Sequence, residues 1–109
     1  MRLTAEMWVS AYLMRLRLAD IPAFVVAKGD ATAGAVLVKS NRLDGQAQAF
    51  TRTYDLLADR RRWEQLIEGS EPDVDAAIAR QRGFDPDLWV IEVEDRQGRT
   101  LLDQPGLSD

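Results

Sequence analysis

The chain has 109 residues, no cysteine and no histidine, and a formal net charge of −4. That length supports one domain with one core. The missing residue types exclude thiol and imidazole catalysis, zinc sites built on them, and disulfides, and the acidic balance speaks against a nucleic-acid partner.

Apolar residues make up 46% of the chain, but 14 of them are alanine. The bulky anchors are therefore few: Trp8, Phe24, Phe50, Trp63, Phe84 and Trp89. Arg15 and Arg17 interrupt the first apolar stretch before a signal sequence develops. No later run is long enough to span a bilayer. A cytoplasmic protein with no membrane contact is expected.

Thr4 can cap a helix running to about Ala19. Its wheel shows two apolar stripes, Leu3, Met7, Ala11, Met14 and Leu18 on one side and Val9, Tyr12, Leu13 and Leu16 on the other. One stripe suffices to cover a sheet, so the second predicts a homodimer contact through the N-terminal helix, unless the sheet's flank covers both. Pro22 forces an extended start, and Ala23–Gly29 reads as a short buried strand. Asp30–Gly34 is a turn of small residues that lacks the Gly-Lys-Ser/Thr end of a phosphate loop. Gly29 and Gly34 leave room for a ligand to approach the backbone. Ala35–Arg42 is the next strand, and Asp44-Gly45 signals a hairpin into Gln46–Asp55. There Gln46, Gln48, Phe50, Arg52 and Tyr54 alternate with Ala47, Ala49, Thr51 and Thr53.

Leu56–Gly69 fits a helical period through Leu56, Leu57, Trp63 and Ile67, yet Arg61–Glu68 also reads as a strand, which is preferred. Ser70, Pro72 and Asp73 start a helix whose buried face is Val74, Ala77 and Ile78. Gly83 is expected to end it in a left-handed conformation, with Phe84 folding back. In "FDPDLWVIEVEDRQGR" (84–99), Trp89, Ile91 and Val93 point one way and Leu88, Val90, Glu92 and Glu94 the other. A turn at Asp95–Gly98 leads to a last strand, Arg99–Leu102. The expected fold is α+β: a mainly antiparallel sheet of five to six strands, two helices packed on one face, in the order α-β-β-β-β-α-β-β. It forms a single domain over residues 1–102, with 103–109 a flexible tail.

Two clusters carry possible chemistry. Asp85, Asp87, Glu92 and Glu94 could ligate magnesium or calcium through oxygen. Pro86-Asp87 followed by Glu92-Val93-Glu94 is superficially similar to a restriction-nuclease-like metal site, although Glu94 stands where lysine should be. The plainer reading makes these acids the wet side of a strand and its turns. The basic cluster Arg52, Arg60, Arg61, Arg62 and Trp63 could bind a phosphate, a carboxylate or an acidic partner. Its plainer reading pairs the arginines with Asp55, Asp59 and Glu64 at the surface.

The segment "AYLMRLRLADIPAFVVAKGDATAGAVLVK", the turn Asn41–Gly45, Arg62-Trp63 and above all "FDPDLWVIEVEDRQGR" resemble an uncharacterised bacterial family, domain of unknown function 1491, over about Leu3 to Leu102. The resemblance implies a small cytoplasmic domain of alphaproteobacterial type and supports a strand holding Trp63. It implies no activity, cofactor or catalytic residue. The sequence thus predicts a non-enzymatic binding or regulatory module without a cofactor, acting through a protein or small anionic ligand. The alternatives are a divalent-metal hydrolase or nuclease-like enzyme using the acidic strand, and a structural subunit of a larger complex.

Overall fold

A computed structural model describes residues 3–107, the side chains of Tyr54 and Asp55 excepted. Thr4 accepts a hydrogen bond from the Met7 backbone N–H at 3.2 Å and opens α1 (Ala5–Leu18). Then come β1 (Ala23–Ala27), β2 (Val36–Asn41), β3 (Gln46–Asp55) and β4 (Arg60–Ser70). Ser70 ends β4 and caps α2 (Glu71–Phe84), accepting from the Asp73 N–H. The last element is β5 (Trp89–Glu94). The order is α-β-β-β-β-α-β, as expected up to this point.

The five strands form one sheet in the order β1-β5-β2-β3-β4. Its pairs are antiparallel except β2 with β5, which run parallel. The parallel pair follows from α2, which carries the chain from the β4 edge back to the middle of the sheet. The expected last strand, Arg99–Leu102, does not form. Leu101 sits at φ +61°, which breaks an extended chain, and Arg99 is turned back onto Asp95.

The two helices lie on opposite faces, which corrects the expectation of one shared face. Trp8, Val9, Tyr12 and Leu16 of α1 form a core with Val36, Val38, Trp89, Ile91 and Val93. Val74 and Ile78 of α2 form a second core with Leu37, Ala47, Ala49, Leu88 and Val90. The reason is the pleat: adjacent residues of a strand point to opposite faces. Both parities of β2 and β5 are apolar, and such strands bury both sides. Ala47 and Ala49, fully buried, keep the surface under α2 low.

The chain beyond β5 also departs from the flexible tail. Residues 98–107 cross the α1 face, where Leu102 and Leu107 join the first core. The Tyr12 hydroxyl donates to Thr100 O at 2.8 Å, and Arg15 Nη1 donates to Pro105 O at 2.7 Å. Leu107 is 1% exposed, so its burial gives the segment a reason to order. The final two residues of the expected tail lie outside the described residues. Gly83 does not stop α2 either, since the helix runs through Phe84, which is 85% exposed rather than folded back.

Candidate functional site

The basic cluster rests on β4, one of the two edge strands of the sheet. β4 pairs Trp63 with Arg52, Arg61 with Tyr54, and Gln65 with Phe50, but Ile67 with Ala49. Leu66 is thus an extra residue, and the bulge it makes reverses the alternation. Trp63 and Gln65 thereby face the α1 side, whereas Ile67 faces α2 and packs against its core. The expectation that Phe50 and Arg52 share a face is met; Tyr54's side chain lies outside the described residues.

On the α1 side an aromatic group forms under Arg52. The rings of Trp8 and Tyr12 are 4.9 Å apart and those of Trp8 and Trp63 5.5 Å. The Arg52 guanidinium lies 5.0 Å from the Trp8 ring centre and 5.5 Å from that of Trp63, within cation–π range. Trp63 donates its indole N–H to Leu107 O at 2.9 Å. Its ring is therefore held by the α1 aromatics and by the C-terminal segment together.

A groove of about 770 Å³ opens between β4 and the 98–104 segment. Phe50, Trp63 and Gln65 contribute its sheet side, and Arg60, Arg61 and Arg62 its edge. Gly98 to Gln104 form the opposite wall, which brings in Arg99. Four arginines therefore border the groove, against one acid, Asp103. Two of the four are engaged locally: Arg62 with Glu64 at 3.0 Å, and Arg99 with both oxygens of Asp95 at 3.1 Å. The Arg99 fork holds the Asp95 carboxyl below its ordinary range and is itself pushed up by it. Among the described residues Arg60 and Arg61 have no ion-pair partner, while Arg62 pairs with Glu64 as the plainer reading expects. The side chain of Asp55, another expected partner, lies outside the described residues. The groove is thus a positive hollow on a negative chain, of the size that small-ligand sites have.

The model of the family described as "Protein of unknown function (DUF1491)" matches residues 3–103. The chain belongs to this family. The DUF1491 match extends to solved structures. A DUF1491 protein from Caulobacter crescentus, solved by crystallography, is 43% identical, with a TM-score of 0.82 and 96% of this chain and 97% of that one covered. Its NMR structure gives the same identity and TM-score, with 96% of each chain covered. A solution structure from A. tumefaciens is 36% identical, with a TM-score of 0.75 over 96% of this chain and 98% of that one. No curated protein matched the chain.

The acids of this DUF1491 chain are dispersed. Asp85 follows α2 and accepts from the Asp87 N–H at 3.1 Å, an ordinary turn contact. Glu92 lies five residues beyond Asp87, roughly 16 Å along an extended chain. Among the described residues no group of three or more acidic side chains is placed to hold a metal ion. Nor does Glu92 simply meet water, which corrects the plainer reading for that residue. Its side chain, 14% exposed, takes Lys39 Nζ at 3.3 Å on one oxygen and Asn41 Nδ2 at 3.1 Å on the other. Lys39, 4% exposed, also reaches Glu71 at 3.0 Å and Asp75 at 2.7 Å on α2. Burial pulls its ammonium down, but the hydrogen bonds it donates to Asp75, Glu71 and Glu92, with the Glu92 charge, outweigh this and push it up to about 12. This cluster is a clamp between α2 and the sheet.

Gly29 and Gly34 serve packing rather than a ligand. A Cβ at either would run into the Asp87 carbonyl oxygen, and at Gly29 also into Trp89. Arg99 is missing from the site expected from sequence because the second wall reads there as strand and tail, and Phe50 and Gln65 because the face they share with Trp63 emerges only when β3 and β4 pair. The Asp95–Arg99 spacing across a glycine turn is the signal that points to it. Among the described residues no helix is long and apolar enough to cross a membrane.

Proposed function

We propose that the protein is a non-enzymatic binding module whose groove between β4 and residues 98–104 takes a small anionic ligand bearing a carboxylate or phosphate. The observation that carries this reading is the juxtaposition of Arg60 and Arg61, without ion-pair partners among the described residues, with Arg99 and Trp63 around about 770 Å³. Guanidinium forks match planar and tetrahedral oxyanions, and an indole offers stacking area. A catalytic reading has little to stand on there. The lining holds one carboxylate, Asp103, no lysine, and the chain has no histidine or cysteine to move a proton.

The test is a titration with inorganic phosphate and with citrate at constant ionic strength, followed by proton–nitrogen NMR. The Trp63 indole N–H and the Arg99 Nε–H should shift with either anion. The shifts should vanish in Arg60→Ala/Arg61→Ala. Shifts of equal size in that variant, or none in the wild type, would remove the proposal.

A further inference from the structure

The outer face of α1, continued by Leu3 before its cap, carries an apolar stripe that the fold leaves about half exposed or more. Leu3 is 47% exposed, Met7 52%, Met14 53% and Leu18 79%, and Ser10 and Ala11 on the same face are exposed too. The opposite face, Trp8, Val9, Tyr12 and Leu16, is fully engaged with the sheet. The expected two stripes therefore exist, and it is the first that lacks a cover.

We propose that this stripe binds a second copy of the same chain, with the two α1 helices antiparallel and the twofold axis passing between Ser10 and Ala11. Three features of the helix favour that arrangement. Its methionines are symmetric about this point, Met7 coming opposite Met14 of the other copy, and Leu18 lies towards the end where the other copy's Leu3 precedes the Thr4 cap. The residues at the centre, Ser10 and Ala11, are small, which lets two helix axes approach closely. The charges are complementary as well. At 100° per residue Glu6 and Arg17 fall on the same flank of the stripe, one towards each end. A twofold axis perpendicular to the helices sets that flank against itself, so Glu6 of each copy meets the flank carrying Arg17 of the other. Arg17 then lies two residues, about 3 Å along the axis, from the position opposite Glu6, within an arginine's reach. Among the described residues neither Glu6 nor Arg17 has an ion-pair partner within its own chain.

A membrane surface would use such a stripe differently. An interfacial helix needs a strongly basic polar face and an aromatic anchor on the apolar one. Here the aromatic residues of α1, Trp8 and Tyr12, are buried against the sheet and the flank carries an acid. One helix face is also less than a standard interface, so the association is expected to be weak and concentration-dependent.

Sedimentation equilibrium between about 10 µM and about 500 µM, the range suited to a small interface, tests this. The average mass should rise from the 12.3 kDa of one chain towards twice that value. Met14→Glu and, independently, Met7→Glu should stay monomeric with unchanged circular dichroism. Glu6→Arg and Arg17→Glu should each weaken association several-fold, and the double swap should restore it. A wild type that remains monomeric throughout, or a double swap no better than the single ones, would overturn the proposal. So would flotation of the wild type with phosphatidylglycerol vesicles that Met14→Glu abolishes, which would assign the stripe to a lipid surface.

Discussion

Trp63 and Leu107 are joined across the molecule: the indole N–H of the edge strand donates to the last described carbonyl oxygen at 2.9 Å. The same two residues belong to the core under α1, Leu107 fully buried and Trp63 packed against it. The C-terminal segment therefore closes that core and supplies one wall of the basic groove at the same time.

Leu107→Ala should destabilise the fold by about 2–4 kcal/mol, the usual loss for a buried leucine that leaves a cavity. Urea unfolding gives the magnitude. The Trp63 indole N–H resonance should shift as its acceptor loosens, and anion binding should weaken with it. An unchanged urea midpoint would show that residues 103–107 do not belong to the core.

Gly29 and Gly83 should respond to an added methyl group in opposite ways. Gly29→Ala forces that group against the Asp87 carbonyl oxygen and Trp89, and should cost about 2–3 kcal/mol by overpacking. Gly83 lies within α2, at an ordinary φ, and a methyl group there would meet nothing within 4 Å. Gly83→Ala should therefore stabilise by about 0.5 kcal/mol, the lower part of the helix-propensity difference near a helix end. Thermal unfolding of both variants against wild type checks the opposite signs.

The hairpin, both helix starts and the buried Trp89 are legible in the sequence because each rests on local chemistry: Asp44-Gly45 with the glycine at φ +88°, Thr4 and Ser70 as caps, and the apolar Trp89, Ile91 and Val93 at every second position of β5. The faces of the sheet are not, because Ala47 and Ala49 look like weak strand formers until a helix is seen to need them small. The ambiguity at 56–69 has one cause. The bulge at Leu66 puts Trp63 and Ile67, four residues apart, on opposite faces, and a period-two pattern cannot absorb an inserted residue. The groove is half legible, since Arg60–Trp63 form a visible cluster while their partner wall depends on a contact made 44 residues away.

Lys39 clamps three carboxylates from two elements, and it should not be replaceable alone. Lys39→Met leaves Glu92 half-buried with only Asn41 as partner, and should cost about 2–3 kcal/mol. That is less than the full loss for a buried pair, because Glu71 and Asp75 can turn to water. Lys39→Met/Glu92→Gln should recover most of it, because a neutral amide can keep the Asn41 bond. A double variant as unstable as the single one, measured by urea unfolding, would show that the charge on Glu92 is not what the single change exposes.

The same lysine, together with Tyr12, sets how the fold fails in alkali. Lys39 is raised from 10.5 to about 12 in the folded chain. Its contribution is therefore complete below pH 10.5 and is lost as the pH rises through 12. Tyr12 acts in the same direction from a different cause. Burial holds its hydroxyl protonated well above the ordinary 10.0, so the unfolded chain releases that proton first and stability falls from about pH 10 upwards. Urea midpoints should be level between about pH 7 and 9 and then drop steeply between about pH 10 and 12. Tyr12→Phe removes the tyrosine share of that slope. It also starts lower by about 1 kcal/mol, because Thr100 O loses its hydrogen bond. If the slope above pH 10 were the same in wild type, Tyr12→Phe and Lys39→Met, neither buried group would govern it, and the alkaline limit would have to lie in the general charge of the chain.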